Sequence, residues 1–168
     1  ENTVTGTTYK IWNNIIYDWN YGIYMANTQS GGNSNIIEYN NTVVGCGSAG
    51  IYVDDGWTLN AISLYTKNNL VQGSGTNYHI SIRPSGGADV HSNNISGDNT
   101  SPDGSSFQNK TVAFVDAGNG DYRLSDTDTN AKDSGVDLSN DSYLAFNTDI
   151  AGGVRPYGSA WDIGADEV

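Results

Sequence analysis

The stretch NNIIYDWNYGIYM, residues 13–25, decides the fold because its pattern returns along the chain. Two adjacent asparagines precede a short apolar run, a polar turn and a second short run. The pattern recurs as NNTVVGCGSAGIYV from residue 40 and as NNLVQGSGTNYHISI from residue 68, and NNISGD from residue 93 is a partial copy. The asparagine pairs are spaced by 27, 28 and 25 residues, and self-similarity at such a period is typical of solenoid proteins.

Each period contains two or three apolar runs of three to five residues, which leaves no room for helices. The repeat therefore predicts an all-β protein, a parallel β-solenoid in which coils stack about 4.8 Å apart and equivalent residues form columns. Alternation along the strands predicts one inward column at the Gly-Ile-Tyr runs and a second after the asparagines. The predicted inward residues are Ile23, Met25, Ile51, Val53, Ile80 and Ile82 in the first column and Ile16, Val43 and Val71 in the second.

The asparagines suit the corners between strands. Asn tolerates the left-handed backbone conformation better than most residues, and stacked Asn amides can hydrogen-bond from coil to coil. We therefore predict a structural ladder, formed by the first asparagine of each pair or by its neighbour. The first set is Asn13, Asn40, Asn68 and Asn93, and the neighbours are Asn14, Asn41, Asn69 and Asn94.

The strand before each asparagine pair is less regular. In the first coil the apolar residue lies two positions ahead of the pair, at Ile11. In the later coils it lies three positions ahead, at Ile37, Tyr65 and Val90. This difference predicts a bulge in one coil, and the pattern leaves open which face Trp12 and Tyr39 occupy.

The repeats end near residue 96, where SGDNTSPDGSSFQNK has the composition of a loop. We divide the chain into coils over residues 1–96, a loop over 97–110 and a C-terminal capping segment over 111–168 of the same domain. Because Glu1 rather than Met stands first and no capping helix precedes the first coil, we expect the C-terminal part of a larger protein. The first coil is then uncapped.

Composition limits the partners. The formal net charge is −12 with only seven Lys and Arg residues, and the pI is near 4.1. Nucleic-acid binding depends on Lys and Arg that neutralise phosphates, so we expect no nucleic-acid partner. No apolar stretch approaches the roughly 18 residues that span a bilayer, so we expect no membrane insertion. Cys46 is the only cysteine, which excludes an intrachain disulfide.

The Asn-Asn and Gly-Ile-Tyr repeats resemble the right-handed parallel β-helix repeats of pectate-lyase-like proteins. FVDAGNGDYRL, AKDSGVDLS, TDIAGGVRP and WDIGADE, all between residues 114 and 167, resemble the tail that closes many secreted bacterial β-helix proteins of unknown function. The resemblance implies a right-handed β-helix of about three to four coils with an irregular C-terminal cap, secretion or cell-surface display of bacterial type, and polysaccharide-related biology. It implies no single reaction, because β-helices host lyases, hydrolases, adhesins and inert spacers.

Charged and aromatic residues of the tail are expected to lock it onto the last coil. Arg155 is predicted to pair with Asp149, supported by Asp162 and Trp161. Arg123 is predicted to pair with Asp116 or Asp121.

A glycosidase needs two carboxylates at a set separation, and Asp54 and Asp55 are adjacent acids in the repeats. They resemble one element of the polygalacturonase pattern, whose Gly-His-Gly and Arg-Ile-Lys elements are absent. A polysaccharide lyase abstracts a proton with a basic side chain, and the candidates are Lys67, Arg83 and His91. No second cation lies near Arg83 in sequence, so solvation at the surface is the competing interpretation.

DTDTNAKDSGVD, residues 126–137, spaces oxygen-bearing side chains as a calcium loop does. The candidate ligands are Asp126, Asp128, Asn130 and Asp137. Two departures weigh against calcium, the only cofactor considered: Ala131 stands where the sharp turn favours glycine, and Asp137 replaces a longer Glu. The same residues also fit the tail, where the resemblance implies no metal.

Outward aromatic residues are the last candidates. Tyr24 and Tyr52 are predicted to form an outward column that accepts the faces of sugars, with Trp12 and Trp57 at nearby turns. The competing interpretation is that neighbouring rings only stabilise the sheet by cross-strand contact.

Three functional hypotheses follow. The leading one is a secreted or cell-surface, non-catalytic module that serves as a scaffold or a weak glycan-binding surface, with a polysaccharide or cell-surface glycan as partner. The alternative is a polysaccharide lyase or glycoside hydrolase of the pectate-lyase-like superfamily. The third is end-to-end assembly of solenoids through the uncapped first coil.

Overall fold

The computed structural model describes residues 6–26, 33–56, 62–83 and 87–168. Within these residues the chain is all-β, without an α-helix and with a short 3-10 helix at Ala117–Asn119. The strands are β1 (Thr7–Trp12), β2 (Ile15–Tyr17), β3 (Tyr21–Ala26), β4 (Ser34–Tyr39), β5 (Thr42–Val44), β6 (Ala49–Asp54), β7 (Ile62–Lys67), β8 (Leu70–Gln72), β9 (Thr76–Ser81), β10 (Asp89–Ser92), β11 (Ile95–Ser96), β12 (Phe114–Asp116) and β13 (Asp121–Leu124).

Parallel pairing organises the first eleven strands into three sheets. The first sheet has the order β1-β4-β7-β10, the second has the order β2-β5-β8-β11, and the third has the order β3-β6-β9. Each of the first three repeats contributes one strand to every sheet, and each strand pairs with its equivalent one repeat away. β12 and β13 form an antiparallel pair after the repeats. The all-β prediction is confirmed, and the parallel order is compatible with a solenoid.

A central hydrophobic core draws side chains from all three sheets. Both predicted inward columns belong to it, so the alternation of the short strands was interpreted correctly. The buried members include Ile23, Val43, Ile51, Val53 and Val71, and the partly buried members include Ile16, Met25, Ile80 and Ile82. Cys46 is a free, buried thiol in the same cluster. Each fully buried Val or Ile contributes about 2 kcal/mol relative to an exposed one.

The pairing register corrects the alignment of the third repeat. Ile23 pairs with Ile51 as predicted, but Ile51 pairs with Tyr78 rather than with Ile80. The observed partner lies 27 residues after Ile51, whereas aligning the Ile-x-Ile run with Ile-x-Val implied 29, so the predicted strand is shifted by two residues. An even shift leaves the inward side chains inward, which is why Ile80 still packs against the core.

The strand that precedes the asparagines contains no bulge in the described residues, so that prediction was wrong. β1 and β4 pair without interruption, and Lys10 rather than Ile11 lies beside Ile37. Trp12 pairs with Tyr39 on the outer face of the first sheet. Tyr39 is fully buried there, beneath the C-terminal segment, whereas Trp12 is 42% exposed.

The first asparagine of each pair makes the corner. The four residues have positive φ angles of 53°, 49°, 55° and 54° at Asn13, Asn40, Asn68 and Asn93, a conformation that Asn tolerates. Their side-chain amides donate to backbone carbonyls of the C-terminal segment, at Thr148, Asp162, Val136 and Ser134 respectively, over 2.7–3.0 Å. The corners therefore hold the C-terminal segment along every repeat.

The asparagine ladder is present, and its continuous form runs through the second residue of each pair. Nδ2 of Asn14 donates to Oδ1 of Asn41 over 2.9 Å, and the links from Asn41 to Asn69 and from Asn69 to Asn94 are both 3.0 Å. Each acceptor oxygen also accepts the backbone N–H of the ladder asparagine one repeat earlier. Between the first asparagines, one link from Asn68 to Asn40 occurs over 3.2 Å.

The segment over residues 111–168 packs along the outer faces of the first and second sheets. One cluster joins Ile37, Tyr39 and Tyr65 to Leu138, Leu144 and Trp161. A second cluster joins Leu70 and Ile95 to Val112, Leu124, Ala131 and Ile163. The segment therefore covers two sheets from the side.

A buried ion pair holds this segment together, with a partner that differs from the predicted one. Nη1 of Arg155 lies 2.5 Å from Oε2 of Glu167, and both side chains are almost fully buried. The guanidinium also lies 5.5 Å from the ring centre of Trp161, which was predicted to support the pair of Arg155. The predicted pair of Arg123 with Asp121 is confirmed at 2.6 Å.

Candidate functional site

An aromatic column crosses the outer face of the third sheet. Tyr24 in β3 pairs in register with Tyr52 in β6, and Tyr52 pairs with His79 in β9. The rings of Tyr24 and Tyr52 lie 4.9 Å apart at an interplanar angle of 14°, and those of Tyr52 and His79 lie 4.4 Å apart at 5°. Because parallel strands repeat about every 4.8 Å, side chains at equivalent positions stack face to face.

The stacking decides which ring surfaces are free. Tyr52 has a ring on each face, whereas Tyr24 and His79 are the two ends of the column, and Tyr24 is 53% exposed. Among the described residues no ring stacks on the other face of Tyr24. Tyr21 packs almost perpendicular to the column, 4.9 Å from Tyr24 and 5.6 Å from Tyr52. The surface therefore offers one free ring face at Tyr24 beside exposed ring edges.

Asp54 lies at the side of the column. Its Oδ2 accepts the hydroxyl of Tyr52 over 3.1 Å, and its Oδ1 accepts the backbone N–H of Gly56 over 2.7 Å. Nε2 of His79 lies 4.0 Å from the same Oδ2. The hydrogen bond to this carboxylate raises the pKa of Tyr52. The carboxylate is thus fixed in place while its side chain stays 24% exposed.

The column contains Tyr24 and Tyr52 as predicted, and two members were missed. His79 was missed because the third repeat was aligned two residues out of register, with Ile80 rather than Tyr78 as the partner of Ile51. The glycines of GCG (45–47) and GSG (73–75) recur 28 residues apart, whereas β6 and β9 pair at a spacing of 27, so they do not place His79 opposite Tyr52. Tyr21 was not among the predicted stacking residues.

Of the other two predicted stacking residues, Trp12 is not part of this surface. Trp12 lies in the first sheet, whereas the column is on the third. No ring contact joins Trp12 to the column in the part of the chain that the structure describes. Trp57 falls outside the described residues.

The side chains considered for catalysis are engaged in structural pairs. Nε of Arg83 and its backbone N–H both lie 2.8 Å from Oδ2 of Asp55, a residue that is 4% exposed. Nζ of Lys67 lies 2.7 Å from Oδ2 of Asp141 in the C-terminal segment. Asp54 faces the column, so Asp54 and Asp55 bind different partners.

The residues considered for calcium act as turn caps. Oδ1 of Asp128 accepts the backbone N–H groups of Asn130 and Ala131 over 2.9 and 2.6 Å, and its Oδ2 accepts that of Ala113 over 2.7 Å. Oδ1 of Asp137 accepts the N–H of Ser139, which lowers the pKa of Asp137. The backbone carbonyl of Asp126 accepts a hydrogen bond from Nζ of Lys132. In the described residues no cluster of three His, Cys, Asp or Glu side chains suits a metal ion, and the calcium site stays a prediction.

Glu38 is a buried acid that the sequence pattern did not single out. It lies two residues after the core residue Ile36 in β4 and is fully buried. Neither carboxyl oxygen has a hydrogen-bond partner among the described residues. Burial raises the pKa of Glu38 to about 8, so the carboxyl is largely protonated at neutral pH. It lies in the first sheet, away from the aromatic column.

Comparison with known proteins returned no relative. No protein-family model matches the chain, and neither curated proteins nor solved structures give a significant match. The pectate-lyase-like resemblance therefore rests on the quoted residues alone. In the described residues no helix is long and apolar enough to cross a membrane.

Proposed function

We propose that the chain is a module of a right-handed parallel β-helix with about three to four coils, secreted or displayed at a cell surface. Its three parallel sheets, with one strand per repeat in each, support this architecture. The asparagine ladder supports it as well, because equivalent side chains must stack for the amides to link. The module acts as a scaffold that presents a glycan-binding surface.

The aromatic column is the single observation that carries the binding proposal. Tyr24, Tyr52 and Tyr21 form one group of rings, and Tyr24 and Tyr21 are exposed. Exposed aromatic clusters rimmed by polar groups mark interaction sites in soluble proteins. The C–H face of a pyranose ring matches a tyrosine ring in size and polarity. The free face of Tyr24 holds one sugar, while the hydroxyl groups and Asp54 at the side accept hydrogen bonds from its polar edge.

The engaged state of the basic side chains supports a non-catalytic role. A lyase base must reach the proton that it removes, but Lys67 and Arg83 each bind a carboxylate at 2.7–2.8 Å. Both carboxylates are nearly buried, with side-chain exposures of 7% at Asp141 and 5% at Asp55. Each ion pair links two separate parts of the chain, which is a structural role.

A glycan array tests the binding proposal. Wild-type protein is applied to immobilised neutral, acidic and amino-bearing oligosaccharides beside Tyr24→Ala and Tyr157→Ala. Tyr157 is the matched control, because its side chain is 81% exposed in the C-terminal segment, outside the column. The proposal expects wild-type and Tyr157→Ala proteins to bind the same glycans and Tyr24→Ala to lose most of the signal. Equal binding by all three proteins, or binding by none, overturns it.

A further inference from the structure

We propose that the column selects glycans whose sugars carry free amino groups over neutral or uronate glycans of the same length. This inference rests on the proposed function of the column and adds the chemical class of its ligand. Its basis is the charge beside the rings. Asp54 is a fixed carboxylate whose neighbour His79 lies 4.0 Å away, beyond hydrogen-bonding distance, and the guanidinium of Arg83 is already paired with Asp55.

The carboxylate of Asp54 is placed to meet a cation. Its hydrogen bonds from Tyr52 and Gly56 hold both oxygens at the side of the column, 3.1 and 2.7 Å from their donors. Asp54 pairs with Ala26, which follows Tyr24 by two residues in β3. Diagonal neighbours of this kind lie roughly 7 Å apart, and Ala26 adds only a methyl group beside them. When one sugar stacks on Tyr24, a substituent of the adjacent sugar in the glycan therefore lies close to Asp54.

The surrounding charges favour the same ligand class. Arg83 follows β9 at this edge, but its guanidinium is paired with Asp55 at 2.8 Å, so the pair presents no net charge. The whole chain carries a formal charge of −12, which attracts cationic polymers and repels polyuronates. The faces of tyrosine rings attract cations too. A protonated amine gains from the ring and from the carboxylate, whereas a uronate meets repulsion at Asp54.

The preference is modest, because both interactions are at the surface. An exposed ion pair and an exposed cation–π contact together favour the amine by roughly fivefold to tenfold in affinity at low salt. The ionic part weakens as salt is added, while a contact between a sugar face and a ring does not depend on salt.

Calorimetric titration with three oligosaccharides of equal length tests the inference. The probes are a β-1,4-linked glucosamine oligomer, its fully N-acetylated counterpart and an oligogalacturonate, in a mildly acidic, low-salt buffer that keeps the amines protonated. Wild-type protein is expected to bind the glucosamine oligomer roughly fivefold to tenfold more tightly than the acetylated one and to bind the uronate most weakly.

Two variants separate the charge at the site from the charge of the whole protein. Asp54→Asn removes the carboxylate and is expected to bring the glucosamine and acetylated oligomers to similar affinities. Asp89→Asn makes the same change in net charge at an exposed position of β10 and is expected to keep the preference. If the acetylated oligomer binds wild-type protein as tightly as the amine, the inference is overturned while the proposed function stands. If no oligomer binds, the proposed function fails and the inference falls with it.

Discussion

Asp103 ends the asparagine ladder by taking the position that a further asparagine would occupy above Asn94. Its Oδ2 accepts the backbone N–H of Asn94 over 2.6 Å and the side-chain amide over 2.8 Å. Inside the ladder, Oδ1 of Asn94 accepts the same two groups of Asn69. The loop after the repeats thus satisfies the last rung, and neighbouring loop residues do the same for β9, where Asp98 and Thr100 accept backbone N–H groups.

Replacing Asp103 tests whether its hydrogen bonds at the end of the ladder stabilise the protein. Asp103→Ala leaves two donors of Asn94 without their acceptor, and unsatisfied buried donors are costly. We expect the free energy of unfolding in urea to fall by about 2–3 kcal/mol. Asp103→Asn keeps an amide oxygen of the kind used inside the ladder, so its loss should be clearly smaller. Both variants also remove the negative charge 2.7 Å from Nδ1 of His91, so equal losses would show that this contact, rather than the hydrogen bonds to Asn94, stabilises the end.

The buried carboxyl of Glu38 makes stability fall as the pH rises. Its pKa is about 8 in the folded chain and 4.5 in an unperturbed one. Between these values the folded state keeps a proton that the unfolded state loses. The stabilising contribution is therefore complete below about pH 4.5 and is lost as the pH rises through about 8, on the order of 5 kcal/mol in all.

Urea unfolding of wild type and Glu38→Gln at about pH 5 and about pH 8 measures this contribution. The neutral amide has no proton to lose, so the variant should lose much less stability between the two pH values. The difference between the two proteins cancels other titrating groups such as Asp162, whose pKa is also raised by burial, to about 6. Identical pH dependence in both proteins would contradict a protonated Glu38.

The ion pair of Arg155 with Glu167 is expected to be essential for the C-terminal segment. Arg155→Met leaves Glu167 charged and almost fully buried, a change that costs about 3–5 kcal/mol. The matched control is Arg123→Met, because Arg123 is 58% exposed in its pair with Asp121 and such a pair contributes about 1 kcal/mol or less. Similar unfolding free energies for the two variants would argue against a buried pair.

The paired state of Lys67 predicts that the protein has no lyase activity of its own. Incubation with alginate, pectate and chondroitin, with and without calcium, should release no unsaturated product measurable by ultraviolet absorbance. Unsaturated product that disappears in Lys67→Met would overturn the non-catalytic proposal. In that variant we also expect a loss of stability of about 2 kcal/mol, since the nearly buried carboxylate of Asp141 loses its charged donor.

The repeats were predictable because their physics is local. Ile16, Val43 and Val71 recur at one position of each period and alternate with outward residues, so their burial followed from the strand period alone. The corner role of Asn13 followed in the same way from its tolerance of positive φ. The third repeat was misaligned at Tyr78 because Ile80-Ser81-Ile82 resembles Ile51-Tyr52-Val53 more closely than Tyr78-His79-Ile80 does.

The missed features depend on chain segments far apart in sequence. In SNIIEY, residues 34–39, Ile36 faces the core and Ile37 faces the C-terminal segment. Because both faces are apolar, alternation gives no signal that Glu38 points inward. Glu167 rather than Asp149 pairs with Arg155 because the C-terminal segment has no periodicity, and nearness along the chain was the only guide.

Nuclear magnetic resonance titration with a glycan selected on the array tests the central claim most directly, because it reports each aromatic ring separately. The account predicts that signals of Tyr21, Tyr24, Tyr52 and His79 shift together and saturate at one ligand per chain. Signals of Tyr143 and Tyr157, exposed in the C-terminal segment, should stay unchanged. Saturable shifts confined to the C-terminal rings, with the column unaffected, would contradict the claim that the aromatic column is the binding surface.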